Sequence, residues 1–308
     1  MIDTLLVLAA EGDKPNPLPH VLNHPWWYVG DYMVWSAIQT NLVISALIML
    51  VLGPWIAKSI ATGPESEGHD RYVTKNVFAH MIEVICVYLR DVIVEPLLHE
   101  RTARFMPFLW TLFFFILINN LMGLIPILDI VTIFAFDMVH HEHRAPIGGT
   151  ATQNLWVTGT LAAIAGLLIN IEGLRELGPK EFVKHMTGGI PLKPAYLPVV
   201  AIVFVIEVAG IFIKPIALAI RLFANMTAGH TLLATLGMFV AMAFGARTLL
   251  VTAPVTLLSA AGMIGILCLE LFVAFLQAFV FMFLTAVFIS LLSHHGEHED
   301  HAHEPAHA

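Results

Sequence analysis

The sequence predicts an all-α integral membrane protein with five membrane-crossing helices and one amphipathic interfacial helix, and three observations carry that prediction. Hydrophobic residues make up 58% of the 308-residue chain and charged residues only 12%, at a mean hydropathy of +0.80; soluble domains carry about 25% charge. Five apolar stretches reach or approach the roughly 18 residues that a helix needs to cross the hydrocarbon core. Basic residues alternate between dense and sparse from one connecting segment to the next, as they do in multi-pass proteins.

The first crossing is expected over Met33 to Ala57. It is followed by "RYVTKNVFAHMIEVICVYLRDVIVEPLLHE", in which Val77, Met81, Val84, Ile85 and Leu89 keep helical spacing beside Lys75, His80, Glu83, Arg90 and Asp91. That pattern predicts an amphipathic helix at the membrane interface or beneath other helices. The remaining crossings are expected over Phe105 to Ile127, Leu155 to Ile171, Leu197 to Val240 and Pro254 to Leu292. The last two are too long for an upright crossing, because about 40 helical residues extend to about 60 Å against a hydrocarbon core of about 30 Å. They are therefore expected to run steeply tilted, as an antiparallel hairpin, against a large partner.

The chain divides into an N-terminal external segment (1–32), a membrane domain (33–292) and an acidic, His-rich tail (293–308) expected to be disordered. "MIDTLLVLAAEGDKPNP" has no basic leading region and no clear small-residue cleavage site, and is read as mature sequence. Lys58, Arg71, Lys75, Arg90, Arg101 and Arg104 follow the first crossing, and Arg175, Lys180, Lys184 and Lys193 follow the third; Lys14, Arg144 and Arg247 lie on the other side. By the positive-inside rule the N-terminus is outside and the C-terminus inside.

Composition and motifs weigh against several function classes. The net charge is −8 with the acidic excess mainly in the tails, so no nucleic-acid partner is expected. Cys86 and Cys268 both lie in apolar runs and offer neither a disulfide framework nor a CxxC metal site. "HHEH" (His140 to His143) is a single cluster in an external loop, whereas a membrane di-metal enzyme needs several. A haem- or quinone-binding membrane anchor is the alternative reading, but axial ligation needs two facing histidines and His230 alone lies deep in a strong crossing. No internal repeat suggests a stand-alone secondary transporter, and no cofactor is expected.

The chemistry concentrates in the two long crossings. Glu207, Lys214, Arg221 and Asn225 are separated by seven, seven and four residues, which keeps them in one narrow stripe of a helix. A charge near the bilayer centre costs at least ~2.5–3.5 kcal/mol, so such a residue faces protein or water and marks an ion pathway. For Lys214, an ion pair or snorkelling toward the interface is an equal reading. His230, nine residues beyond Arg221, lies on the opposite face of the helix. The last crossing supplies Glu270 and Gln277 on one face, seven residues apart.

In an antiparallel pair, residues at the same depth share an index sum; Arg221 with Gln277 gives 498, and His230 with Glu270 gives 500. The hairpin thus sets an arginine near a glutamine at one depth and a histidine near a carboxylate at another. Histidine titrates near neutral pH, so the His230–Glu270 pair can act as a proton relay, with a packed hydrogen-bonded pair as the structural alternative. Glu207 lies about 21 Å of helix before Arg221. A protonatable group on each side of a fixed positive charge, without a continuous line between them, suits two half-paths separated by a barrier.

These residues resemble subunit a of the F-type ATP synthases. The resemblance runs from about Trp35 to Leu292 and is most specific in "KPIALAIRLFANMTAGH" (Lys214 to His230) and "LELFVAFLQAFVFMFLTAVFISLL" (Leu269 to Leu292). Weaker matches are "FILINNLMGLIPI" (Phe115 to Ile127) and "TQNLWVT" (Thr152 to Thr158). The resemblance implies that Arg221 is the family's essential arginine and Asn225 the asparagine one turn on. It also implies that Gln277 is the glutamine near the arginine and Glu207 a carboxylate of the cytoplasmic half-channel. His230 and Glu270 are similar to a family pair with its members exchanged. Asn154 and Trp156 depart from the Asp and Asn of several bacterial members. Asn119 and Asn120 are read first as interhelical hydrogen-bonding residues and second, with Asn154 and Lys214, as polar lining.

The resemblance further implies a non-catalytic, proton-translocating stator subunit in an energy-transducing membrane such as the bacterial plasma membrane. Its partners would be a ring of c subunits, the subunit b peripheral stalk and the other ATP synthase subunits. The His and Glu pair favours H⁺ over Na⁺.

Overall fold

The computed structural model describes residues 25–29, 32–60, 74, 76–125, 150–188, 190, 196–245 and 249–300. The N-terminal stretch before Pro25, the HHEH loop, Arg144, Arg247 and the tail from His301 lie outside the described residues. Five helical stretches are long and apolar enough to cross a membrane: Ala37–Ser59, Val77–Leu124, Leu155–Arg175, Leu197–Val240 and Thr252–Leu291.

The sequence reading missed a strand pair at the start. β1 (Pro25–Val29) pairs antiparallel with β2 (Tyr32–Ser36), in a stretch whose run of Trp, Tyr and Val favours extended backbone. The first crossing helix, α1 (Ala37–Ser59), therefore begins four residues later than expected. Its start is fixed locally: the Ser36 amide donates to Gln39 Oε1 at 2.8 Å, one half of a capping box.

α2 (Val77–Tyr88) is capped by Asn76, whose side chain accepts from the Phe78 and Ala79 amides. Helical backbone continues through a π segment at Leu89–Val94, a turn at Glu95–Leu98 and a 3₁₀ turn at His99–Arg101 into α3 (Thr102–Leu124). The second apolar stretch is nonetheless not one rod. His99 takes φ 47 and ψ −123, which ends the helix, and Trp110 Nε1 donates to Cys86 O at 3.2 Å, so α3 folds back beside α2. The stripe expected on α2 is divided: Val77, Met81 and Val84 are 86%, 50% and 53% exposed, while Leu89 is buried. An outward apolar face is what a lipid-facing helix presents.

α4 (Leu155–Met186) is interrupted at Gly178, whose φ of 73 and following Pro179 end its first helical section. α5 (Leu197–Gly245) and α6 (Leu249–Asp300) are the two long helices, of 49 and 52 residues. The α6 backbone stays helical to Asp300, into the stretch expected to be disordered.

The described chain forms two compact units. The first comprises Met1–Met49, Phe115–Thr158 and Arg221–Ala278; the second comprises Leu50–Phe114, Gly159–Ile220 and Phe279–Ala308. In both, large apolar side chains are exposed on a scale that a soluble domain does not show, and some polar side chains are buried. Leu47, Leu50, Trp55, Phe212, Phe272 and many other large apolar side chains are exposed, while Asn41, Ser45, Asn119, Asn120, Glu270, Gln277 and Thr285 are buried. With lipid as solvent, close packing and interhelical hydrogen bonds hold such helices together, the bonds averaging about 0.6 kcal/mol each. Ser45 Oγ lies 2.8 Å from Asn119 Oδ1 and so ties α1 to α3.

Candidate functional site

In the first unit, the middle of α5 has two faces. Leu218 and Ala219, just before it, and Leu222 and Met226 within it are buried, whereas Arg221, Ala224, Asn225 and Ala228 are exposed. Arg221 makes no hydrogen bond or ion pair among the described residues. Asn225, one turn on, donates from Nδ2 to Gln277 Oε1 of α6 at 3.0 Å. The sequence register had set Gln277 opposite Arg221; the observed partner is Asn225. The difference is one helical turn, and it leaves the guanidinium turned outward rather than spent on an internal amide.

On the opposite face, His230 Nε2 lies 3.9 Å from Glu270 Oε1, with the two side chains 16% and 3% exposed. The pairing of His230 with Glu270 falls where the register puts it. At 3.9 Å the two are adjacent and not hydrogen-bonded. Both Glu270 oxygens are buried without a hydrogen-bond partner among the described residues, an arrangement that is costly for a group with no chemical role. Gly229 permits it: a β-carbon there would overlap Glu270 Oε1, so the carboxyl lies against bare α5 backbone.

Thr150 and Thr152, to which helical periodicity assigns no role, belong to the same site. Thr150 Oγ1 is 2.8 Å from His230 Nε2. Thr152 Oγ1 donates to Asn120 Oδ1 at 2.8 Å, and Asn120 Nδ2 donates to the Ala274 carbonyl of α6 at 3.3 Å. Both threonines belong to a short turn at Ala151–Gln153 closed by a Thr150–Gln153 capping box. Asn119 bonds to Ser45 and to the Phe115 carbonyl. Asn154 Oδ1 accepts from the Trp156 amide at 2.8 Å and so caps α4. The capping pattern Thr-x-x-Gln before an apolar run was the available signal for this turn.

The second unit holds a different site. Glu207, Lys214, Asn170, Gly166, Pro215 and Phe288 are among the residues lining a cavity of about 60 Å³. Asn170 Nδ2 donates to the Gly166 carbonyl at 2.7 Å. A β-carbon at Gly166 would come within 2.6 Å of Pro215, so the glycine lets α4 and α5 approach closely beside the cavity. Lys214 is exposed, with Nζ 5.3 Å from the Phe288 ring centroid. Arg104 and Arg175 both pair with Glu172, at 2.6 and 3.3 Å. Among the described residues, no group of three or more His, Cys, Asp or Glu could hold a metal ion.

The ATP synthase A chain family profile matches residues 40–290. A protein named ATP synthase subunit a from Anaeromyxobacter dehalogenans is 40% identical over 231 residues, 72% of this chain and 51% of that protein. Its namesake from Chloroherpeton thalassium is 38% identical over 262 residues, 82% of this chain and 69% of the other. That from Chlorobium phaeobacteroides is 32% identical over 278 residues, 90% and 70% respectively. The chain thus spans about half the length of the first relative and about two-thirds of the other two.

Proposed function

The chain is a multi-pass membrane protein of the ATP synthase A chain family, and from that premise we propose that it is the proton-conducting stator subunit of a rotary ATP synthase. It is not itself the catalyst: it couples proton flow to rotation of a ring of c subunits, each bearing one carboxyl group. Protons reach the ring from the outer side by way of His230 and Glu270 and leave on the inner side by way of Glu207. The N-terminus is outside and the C-terminus inside, in an energy-transducing membrane such as the bacterial plasma membrane. The subunit b stalk and the remaining subunits of the synthase complete the assembly.

The observation that carries this reading is Arg221, a cation in an apolar helix, exposed and without an ion partner among the described residues. A lone charge in lipid is expensive, so its counter-charge is expected from beyond the described residues, on the ring itself. Ala224 and Ala228 beside it are small and exposed, which suits close approach of a partner helix. Desolvation in lipid favours a neutral ring carboxyl, and a fixed cation favours its anion. Arg221 thereby drives proton release and bars a protonated ring site from slipping back.

The test is Arg221→Ala in the whole complex reconstituted in liposomes. Proton-driven ATP synthesis falls to background while the c ring still co-purifies; wild-type synthesis in this variant sinks the assignment.

A further inference from the structure

We propose that Thr150 is a positioning residue for His230, its hydroxyl holding the imidazole beside Glu270 and serving Nε2 in both of its protonation states. This rests on the transport reading above and adds a residue to it.

The geometry is specific to one atom. The His230 nitrogen nearest Glu270, Nε2 at 3.9 Å, is the same nitrogen that lies 2.8 Å from Thr150 Oγ1. Only the threonine contact is within hydrogen-bond distance, so it sets where the ring stands. A hydroxyl has one proton to donate and two lone pairs to accept with. One lone pair is taken by the Gln153 amide in the capping box. What remains is one donor and one acceptor. Bare Nε2 accepts from the Thr150 hydroxyl, and Nε2–H donates to the same oxygen, so neither state of the ring loses its partner. A backbone N–H or a carbonyl oxygen offers only one of these.

The hydroxyl is held in place from two further sides. A β-carbon at Gly123 would overlap Thr150 Oγ1, so the α3 backbone packs directly against it. Two residues on, Thr152 is anchored through Asn120 to the Ala274 carbonyl, four residues from Glu270 on the same helix. Thr150 itself is 1% exposed backbone and side chain together, and a β-branched residue has few rotamers to leave by.

The experiment compares Thr150→Val, which keeps the shape, with Thr150→Ser, which keeps the hydroxyl, in proton-driven ATP synthesis by the reconstituted complex. Thr150→Val is expected to slow synthesis about fivefold, the worth of one buried hydrogen bond, with the c ring still co-purifying. Thr150→Ser is expected to keep at least half the wild-type rate. A valine effect below threefold, or a serine variant as slow as the valine one, overturns the proposal. If valine blocks assembly, Thr150→Ala replaces it under the same criteria. Arg221→Ala is run alongside: retained synthesis there brings down the transport reading itself, whereas loss there with a wild-type Thr150→Val brings down only the role of Thr150.

Discussion

The two polar sites of this molecule are built on opposite plans. In the first unit His230, Glu270, Thr150, Thr152, Asn120 and Gln277 sit in a packed interior where side chains have named neighbours at fixed distances. In the second, Glu207 and Lys214 border a cavity of about 60 Å³, and the lysine is exposed. The first arrangement depends on the placement of individual atoms; the second has room for water, which can reorient. Side-chain identity should therefore matter more in the first unit than in the second.

Between the two sites, the larger effect is expected at Glu270. Glu270→Gln keeps the shape and removes the exchangeable carboxyl proton, and should slow proton-driven synthesis by a factor of about 100 or more, within the range for a positioned acid–base group. Exchanging the pair, His230→Glu with Glu270→His, should recover more activity than either single change. A double variant no better than its worse single breaks the idea of a coupled pair.

A smaller effect is expected from Glu207→Gln, about tenfold at most, because water in the cavity can carry part of the task left by one side chain. Measured in the same liposomes, a Glu207→Gln loss as deep as that of Glu270→Gln erases the distinction between the two sites.

The smallest effect is expected at Asn154. Its side chain caps α4, so Asn154→Ala should cost about 1 kcal/mol of stability and leave the synthesis rate per assembled complex unchanged. Thermal unfolding of the detergent-solubilised complex measures the first and liposome assays the second. A transport defect at full assembly would return Asn154 to the lining of the path.

Much of this was legible without coordinates, for a reason that differs between elements. The crossings are legible because a helix in lipid needs a long apolar run, and five such stretches are present. The register of His230 on Glu270 is legible because two antiparallel helices pair residues by index. The strand pair β1–β2 was not, since its Trp- and Tyr-rich segment merges into the apolar run of α1. The separation of the amphipathic helix from the crossing that follows was legible too, but not where the chain turns: the break comes from the positive φ of His99.

The membrane class, the polar stripe carrying Arg221, the opposite face carrying His230 and the family to which both belong are legible along the chain alone. Those follow from helical periodicity and from the cost of charge in lipid, which act within a single segment. That Gln277 bonds Asn225 while Arg221 stays exposed, and that the Thr150 hydroxyl meets His230, comes from packing between segments. Packing also places oxygens of Thr150 and Glu270 where a β-carbon at Gly123 or Gly229 would overlap them. Each of these depends on contact between segments far apart in the chain, at a resolution of one helical turn or less, and periodicity within a segment carries no information at that scale.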